Sequence, residues 1–263
     1  MDSFARLRDL IRSLLARAAT PCGSIVFLHV RLRGLRDLFQ LDYHLLTECI
    51  LKTVDEQLAP KTILVPTYTN ASFRYTGIFH TTFSRSEVGR FSEEVRTRFC
   101  GFRTPDPIYS IADTGSFLAA LTGIDYRRTY GPGSLFDELN SGGYIVVNLG
   151  LDYLVATQLH AAERLAHVPY RFERDVTGIV YFNEHEWQNV TYHTYLLDSS
   201  GIGVTYPAWD RPRIEALLLE HQVLHLSSCG PTRLAWFEST ELTDFMTPLL
   251  IREPSLLLET AAT

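Results

Sequence analysis

Three short, almost wholly apolar runs constrain the fold of this chain most. They are Ser24-Ile25-Val26-Phe27-Leu28-His29-Val30, Thr62-Ile63-Leu64-Val65 and Tyr144-Ile145-Val146-Val147-Asn148-Leu149. A strand with one wet face alternates apolar and polar residues. A strand apolar at nearly every position is buried on both faces, as in a parallel sheet covered by helices on each side. Between the first two runs, Leu45, Leu46, Cys49, Ile50, Val54 and Leu58 recur at helical spacing across 42–58. Strand, helix, strand is the repeating unit of α/β domains. Turn signals bound the runs: Pro21-Cys22-Gly23 before the first, Pro66 after the second and Gly150 after the third.

The rest of the chain dresses this frame. Residues 4–18 place Phe4, Leu7, Leu10, Ile11, Leu14 and Leu15 on one helical face and arginines on the other, which predicts a helix packed on the domain edge. Residues 67–85 are irregular and rich in aromatics (Tyr68, Phe73, Tyr75, Phe79, Phe83), the composition of a functional loop rather than a disordered one. A helix is expected over 86–99. Pro105 and Pro107 keep Arg103–Ser110 extended. Strands are expected at Gly178–Phe182, Val190–Leu197 and Val223–Leu226, with helices near Pro212–His221 and Ser239–Leu250. Without repeats or a compositional break, residues 1–263 read as one domain.

Composition excludes several classes. The longest apolar runs, such as Leu217-Leu218-Leu219 and Leu256-Leu257-Leu258, fall far short of the roughly 20 residues that a helical bilayer crossing needs. Arg6, Arg8, Arg12 and Arg17 interrupt the N-terminal apolar positions, so the segment does not read as a signal peptide, and a cytoplasmic location without membrane contact is expected. A net charge of −6 argues against a nucleic-acid surface. The four cysteines (Cys22, Cys49, Cys100, Cys229) are scattered, with no CxxC pair, as expected of reduced thiols.

The densest polar grouping is Asp152, Thr157, His160, Glu163 and His167. It follows a buried strand, and open α/β sheets bind ligands beyond the C-terminal ends of their strands. Thr157 suits a helix N-cap. His160 and Glu163 stand at i and i+3 on one helix face. Three readings remain open from these residues alone: an ordinary polar helix face, a metal site using His160, Glu163 and His167, or a general base with a carboxylate partner. Imidazole titrates near neutral pH, and an adjacent carboxylate fixes its orientation.

Several blocks in order give the chain a wider likeness. Leu28-His29-Val30-Arg31-Leu32-Arg33-Gly34 is similar to H-S-S-L-x-x-[LIF]-G, and Leu64-Val65-Pro66-Thr67-Tyr68-Thr69 to L-V-x-P-T-[YF]-[ST]. Gly89-Arg90-Phe91-Ser92-Glu93-Glu94-Val95-Arg96 is similar to G-x-x-x-E-x-[FL]-R, and Arg103-Thr104-Pro105-Asp106-Pro107-Ile108-Tyr109-Ser110 to R-[ST]-x-[HD]-P-x-x-S. Thr157-Gln158-Leu159-His160-Ala161-Ala162-Glu163 is similar to T-x-x-H-x-x-E. The likeness covers roughly residues 4–180, about two thirds of the chain. On these blocks the chain resembles the aminoglycoside 3-N-acetyltransferase family, including relatives that acylate nucleotide-linked amino sugars.

The resemblance implies a three-layer α/β/α sandwich with a mostly parallel central sheet and a smaller C-terminal β-rich addition. It implies acyl transfer from acetyl-CoA, or another acyl-CoA, to a small-molecule amine, with no metal. His160 would be the base and Glu163 its partner. His29, Arg31, Arg33, Thr67, Arg103, Thr104 and Ser110 would contact coenzyme A. Tyr68, Glu93, Asp106, Asp152, Thr157 and Arg171 would line the acceptor site. Val30-Arg31 replaces the family's paired serines, and Asp106 stands where antibiotic-modifying members often carry histidine. Val168-Pro169-Tyr170-Arg171-Phe172 looks closer to the nucleotide-sugar relatives, with Arg171 meeting a diphosphate. A nucleotide-linked amino sugar is therefore the expected acceptor. The alternatives are an aminoglycoside drug or a catalytically silent module that binds CoA or a sugar. A homodimer is left open, as is the role of residues 251–263.

Overall fold

The computed structural model describes residues 2–18, 23–197 and 208–259, so Cys22 and the turn around it lie outside the described residues. Ten strands are present among these residues: β1 (Ile25–Val30), β2 (Thr62–Pro66), β3 (Ile78–His80), β4 (Phe102–Arg103), β5 (Ile111–Asp113), β6 (Ile145–Leu149), β7 (Arg171–Tyr181), β8 (Trp187–Leu197), β9 (His225–Cys229) and β10 (Thr232–Glu238). The helices are α1 (Ser3–Leu15), α2 (Leu32–Phe39), α3 (Tyr43–Leu58), α4 (Asn70–Thr76), α5 (Arg90–Arg98), α6 (Phe117–Ala120), α7 (Leu135–Gly142), α8 (Leu159–Leu165), α9 (Arg211–Glu220) and α10 (Ser239–Arg252).

A seven-stranded sheet in the order β4-β5-β2-β1-β6-β10-β9 forms the middle layer. The three apolar runs become its centre, β2, β1 and β6, and they pair in parallel (Phe27 with Leu64 and with Val146). Outward from that centre the pairings turn antiparallel: β5 on β2, β10 on β6 and β9 on β10. Side chains alternate across β1. Val26 and Leu28 enter a core with α1, α2, α3 and α5, while Phe27 enters a second core with α7, α8, α9 and α10. This is the expected three-layer arrangement. Both faces of the central strands are dry, which is why their sequences lack alternation.

The β-rich part divides in a way its sequence does not show. The long β7–β8 hairpin leaves the main sheet and, with β3, forms a second sheet of three strands. Gly178 is required there, because a Cβ at that position would lie 2.4 Å from the Gly77 carbonyl oxygen. The strands after α9 instead complete the main sheet. β10, which the sequence reading left unassigned, pairs directly with β6 (Trp236 with Val147). The aromatic loop after β2 is also more ordered than expected, since α4 and β3 fall within it. Asp42 and Asp210 cap α3 and α9 by accepting from Leu45 N at 2.8 Å and Arg213 N at 3.1 Å.

Candidate active site

The ends of β1, β2 and β6 open on one edge of the sheet, and the chain leaving β6 builds the site. Gly150 adopts φ 70°, and a Cβ there would lie 2.9 Å from the Arg31 carbonyl oxygen, so only glycine lets β6 turn so close beneath β1. Asn148, inside β6, then clasps the returning loop: its side chain accepts from Val155 N at 2.8 Å and donates to Val155 O at 3.1 Å. That clasp delivers Thr157 and α8. Thr157 is not the helix cap. Its hydroxyl accepts from Tyr68 at 3.1 Å, its carbonyl accepts from Tyr130 at 3.1 Å, and Gln158 occupies the cap position.

On α8, His160 Nδ1 lies 2.7 Å from Glu163 Oε2. The Glu163 side chain is fully buried, whereas His160 keeps 15% of its side-chain surface. A buried carboxylate needs partners, and Glu163 has several. Arg171, at the start of β7, forms an ion pair with it, and the Trp209 indole donates to Oε1 at 3.1 Å. The Tyr170 hydroxyl also faces it. Burial pushes the Glu163 carboxyl up, but the His160 hydrogen bond and the His160 and Arg171 charges outweigh it and hold the group low. Burial lowers the His160 pKa, the Arg171 cation lowers it further, and Glu163 opposes both. The result is a neutral imidazole at neutral pH. Its Nδ1 is held by a carboxylate, so Nε2 is the nitrogen available to take a proton.

The other expected residues divide sharply. Arg103 is buried, and its guanidinium donates to Thr67 O at 2.7 Å, Ser84 O at 2.6 Å, Thr81 O at 3.0 Å and Ser110 Oγ at 3.0 Å. Thr67 Oγ1, Ser110 Oγ and Thr104 Oγ1 are bonded within the same loop pair. This group, expected to touch coenzyme A, is bonded within the protein and ties the chain after β2 to β4 and β5. Asp106 is likewise occupied. Its Oδ1 accepts from Ile108 N at 2.8 Å and Tyr109 N at 2.7 Å, and its Oδ2 accepts from Tyr192. Glu93 bonds Arg96 at 2.8 Å and Ser86 N at 2.9 Å, which fixes the start of α5.

Arg31, Arg33 and Asp152 remain accessible at the ends of β1 and β6, around a cavity of about 250 Å³, with Arg31 paired to Asp152. His29 points to the His160 side of the sheet, as Phe27 does. It is buried, its Nε2 lacks a partner, and burial drives its pKa down to about 3. Among the described residues no three His, Cys, Asp or Glu side chains are grouped to hold a metal ion; His167 lies past the end of α8, at φ 51°. None of the helices among those residues is long and apolar enough to cross a membrane.

Comparison with known proteins decides the family. The profile of aminoglycoside 3-N-acetyltransferase matches residues 46–251. The chain belongs to the aminoglycoside 3-N-acetyltransferase family. Solved structures agree in fold. AAC-IIIb in a binary complex with CoASH has 17% identity and a TM-score of 0.69, covering 97% of this chain and 98% of that one. Aminoglycoside acetyltransferase AAC(3)-Xa has 22% identity and a TM-score of 0.67, covering 95% and 96%. AAC-VIa bound to sisomicin has 19% identity and a TM-score of 0.66, covering 95% and 97%. A search of curated protein sequences finds no significant match. As a member of the aminoglycoside 3-N-acetyltransferase family, the protein is an acyl-CoA-dependent N-acetyltransferase with acetyl-CoA as co-substrate.

Sequence reasoning missed Trp209, Tyr130 and Tyr170 around His160. Trp209 stands 46 residues beyond Glu163 in a segment without periodicity, so no spacing rule could have joined them. Tyr170 and Arg171 lay inside a segment the sequence reading did single out, but the partner it gave Arg171 was a substrate phosphate.

Proposed function

We propose that this N-acetyltransferase acetylates an amine of an aminoglycoside, with His160 as the general base and Glu163 as the group that fixes and polarises it. The observation that carries the proposal is the 2.7 Å contact between His160 Nδ1 and Glu163 Oε2, on a helix at the C-terminal edge of the parallel strands.

A sugar amine is mostly protonated at neutral pH and attacks a thioester only after losing a proton. That proton leaves to solvent, and His160 Nε2 takes a second one from the neutral amine as its nitrogen bonds to the thioester carbonyl carbon. The tetrahedral oxyanion then collapses, the carbon–sulfur bond breaks, and the imidazolium returns its proton to the departing thiolate. The products are an amide and free CoA, with no covalent enzyme intermediate. A base so placed contributes about 10²–10⁴-fold, and holding both substrates together supplies much of the rest. Arg31 and Arg33 are the cations placed to meet the phosphates of coenzyme A. Asp152, paired with Arg31, borders the same cavity.

The acceptor assignment differs from the sequence expectation for a physical reason. A nucleotide-linked sugar needs a free cation for its diphosphate, and Arg171, the residue expected to supply it, is buried against Glu163. Relatives of the same fold bind sisomicin and a gentamicin, acceptors with several amines and no phosphate.

The test is a thiol-release assay with acetyl-CoA and parallel panels of aminoglycosides and UDP- or dTDP-amino sugars. Turnover confined to the nucleotide sugars would overturn the acceptor assignment. His160→Ala should lose turnover by about 10²-fold or more while acetyl-CoA still raises the melting temperature. Retained turnover would remove His160 from the chemistry.

A further inference from the structure

The carboxylate behind the base is held partly from the far end of the chain. Trp209 occupies the turn before α9 and donates its indole N–H to Glu163 Oε1 at 3.1 Å. The same ring packs on the His160 imidazole, with centroids 4.9 Å apart, and the Arg171 guanidinium lies 5.6 Å from its centre. Trp209 is itself fastened on both sides. It forms an antiparallel bridge with Leu258, Asp210 N donates to Leu257 O at 2.8 Å, and Glu259 N donates to Ala208 O at 2.8 Å. Leu256, Leu257 and Leu258 are buried in the core that also holds α8, so the clasp is anchored by apolar packing.

Resting on the reading of His160 as the base, we propose that Trp209 is a positioning residue for acyl transfer, and that segment 256–259 completes the active centre by holding it in place. A carboxylate has two oxygens and rotates easily about its terminal bond. Oε2 of Glu163 is shared between His160 and Arg171. Without a donor fixed on Oε1, the group can swing toward the guanidinium and leave the imidazole without a defined tautomer. With the indole N–H in place the carboxylate plane is pinned, Nδ1 keeps its proton, and Nε2 presents a lone pair to the amine.

Trp209→Phe keeps an aromatic ring beside His160 and removes the N–H together with part of the indole surface. It should lower kcat about tenfold while the KM for acetyl-CoA stays within about twofold, because the bond acts on the base rather than on substrate binding. In a Glu163→Gln background the same substitution should cost nothing further, since residues acting through one partner are not additive. Glu259→Pro removes the backbone donor to Ala208 without touching a buried side chain. It should lower kcat severalfold in the wild-type background and not at all beside Trp209→Phe.

An unchanged kcat for Trp209→Phe, or an equal loss in both backgrounds, overturns the positioning role. An unchanged kcat for Glu259→Pro overturns the role of the C-terminal segment. If Trp209→Phe does not fold, the Glu259→Pro measurement decides alone. His160→Ala is assayed alongside. If it retains turnover, the reading of the base has failed; if it is inactive while Trp209→Phe is not, only the present inference has failed.

Discussion

Two buried polar clusters lie on either side of the strand ends, and they differ in what they leave over. Around Arg103, donors and acceptors are paired off within the protein: the guanidinium with the carbonyls of Thr67, Thr81 and Ser84, and the hydroxyls of Thr67, Ser110 and Thr104 with backbone or one another. Around Glu163, the carboxylate is equally well partnered, but the imidazole it holds has its second nitrogen turned away from the carboxylate and part of its surface accessible. Both clusters carry motif residues with similar chemistry. We read the cluster that satisfies itself as a structural joint and the one that leaves a titratable atom open as the place for chemistry.

That contrast is broken most easily at Arg103. Arg103→Met leaves buried carbonyls and a buried hydroxyl pair without their donor, and each buried group so left costs about 1–3 kcal/mol. Denaturant unfolding should show that loss, while the folded fraction keeps a kcat within a few-fold of wild type. A preserved midpoint with a raised KM for acetyl-CoA would instead return Arg103 to the cofactor site.

Glu163→Gln is the converse substitution. The amide keeps the shape but loses the charge that orients His160 and stabilises its protonated form, so kcat should fall by about 10²-fold, or near 3 kcal/mol in barrier. Arg171 then lacks its counter-charge, so some stability is lost too, but less than at Arg103. Single-turnover kinetics would separate the two. A variant with wild-type chemistry and reduced stability alone would make Glu163 another structural joint.

The fold was legible where physics acts locally. Three apolar runs fixed the parallel centre because residues buried on both faces have no reason to alternate. His160 and Glu163 were legible because three residues on a helix is a geometric statement. β10 escaped notice although it lies between β6 and β9 with Leu234, Ala235, Trp236 and Phe237 buried, because so short an apolar run does not by itself tell a strand from a buried helical turn. Arg103, Asp106 and Arg171, whose partners within the protein the sequence did not reveal, share another cause. A motif shows which residues recur, but whether an arginine faces a phosphate or a carbonyl depends on contacts from distant segments. For Arg171 the deciding partner is on α8, and Trp209 reached the same carboxylate from 46 positions away.

His29 tests the contrast by pH. It is buried on the His160 side of β1 and its pKa is driven from 6.5 to about 3 by desolvation. As pH falls below 6.5 the unfolded chain takes up this proton and the folded one does not, so the stability present above 6.5 is lost progressively toward pH 3. Between pH 7 and pH 5 this one group accounts for about 2 kcal/mol. His29→Leu should therefore flatten the urea midpoint over that range. If the slope is unchanged, His29 is solvated in the native protein and its Nε2 is not an unpartnered buried atom.

The smallest effect is expected at Asp106, where the two readings of a motif residue separate most cleanly. Burial raises this carboxyl to about 6, against the hydrogen bonds from Tyr192 and the backbone of Ile108 and Tyr109. A raised carboxyl favours the folded state below its unfolded pKa and loses that contribution as pH rises through about 6. In Asp106→Asn, the amide oxygen accepts from the same two N–H groups and the titration disappears. At pH 7 its unfolding free energy should stay within about 1 kcal/mol of wild type, because a lost charge-assisted bond offsets a relieved burial penalty. The KM for the amine acceptor should not move, since both carboxyl oxygens already face protein donors. A tenfold rise in that KM would place Asp106 in the acceptor pocket, and the rule that a fully partnered buried group is structural would fail at this position.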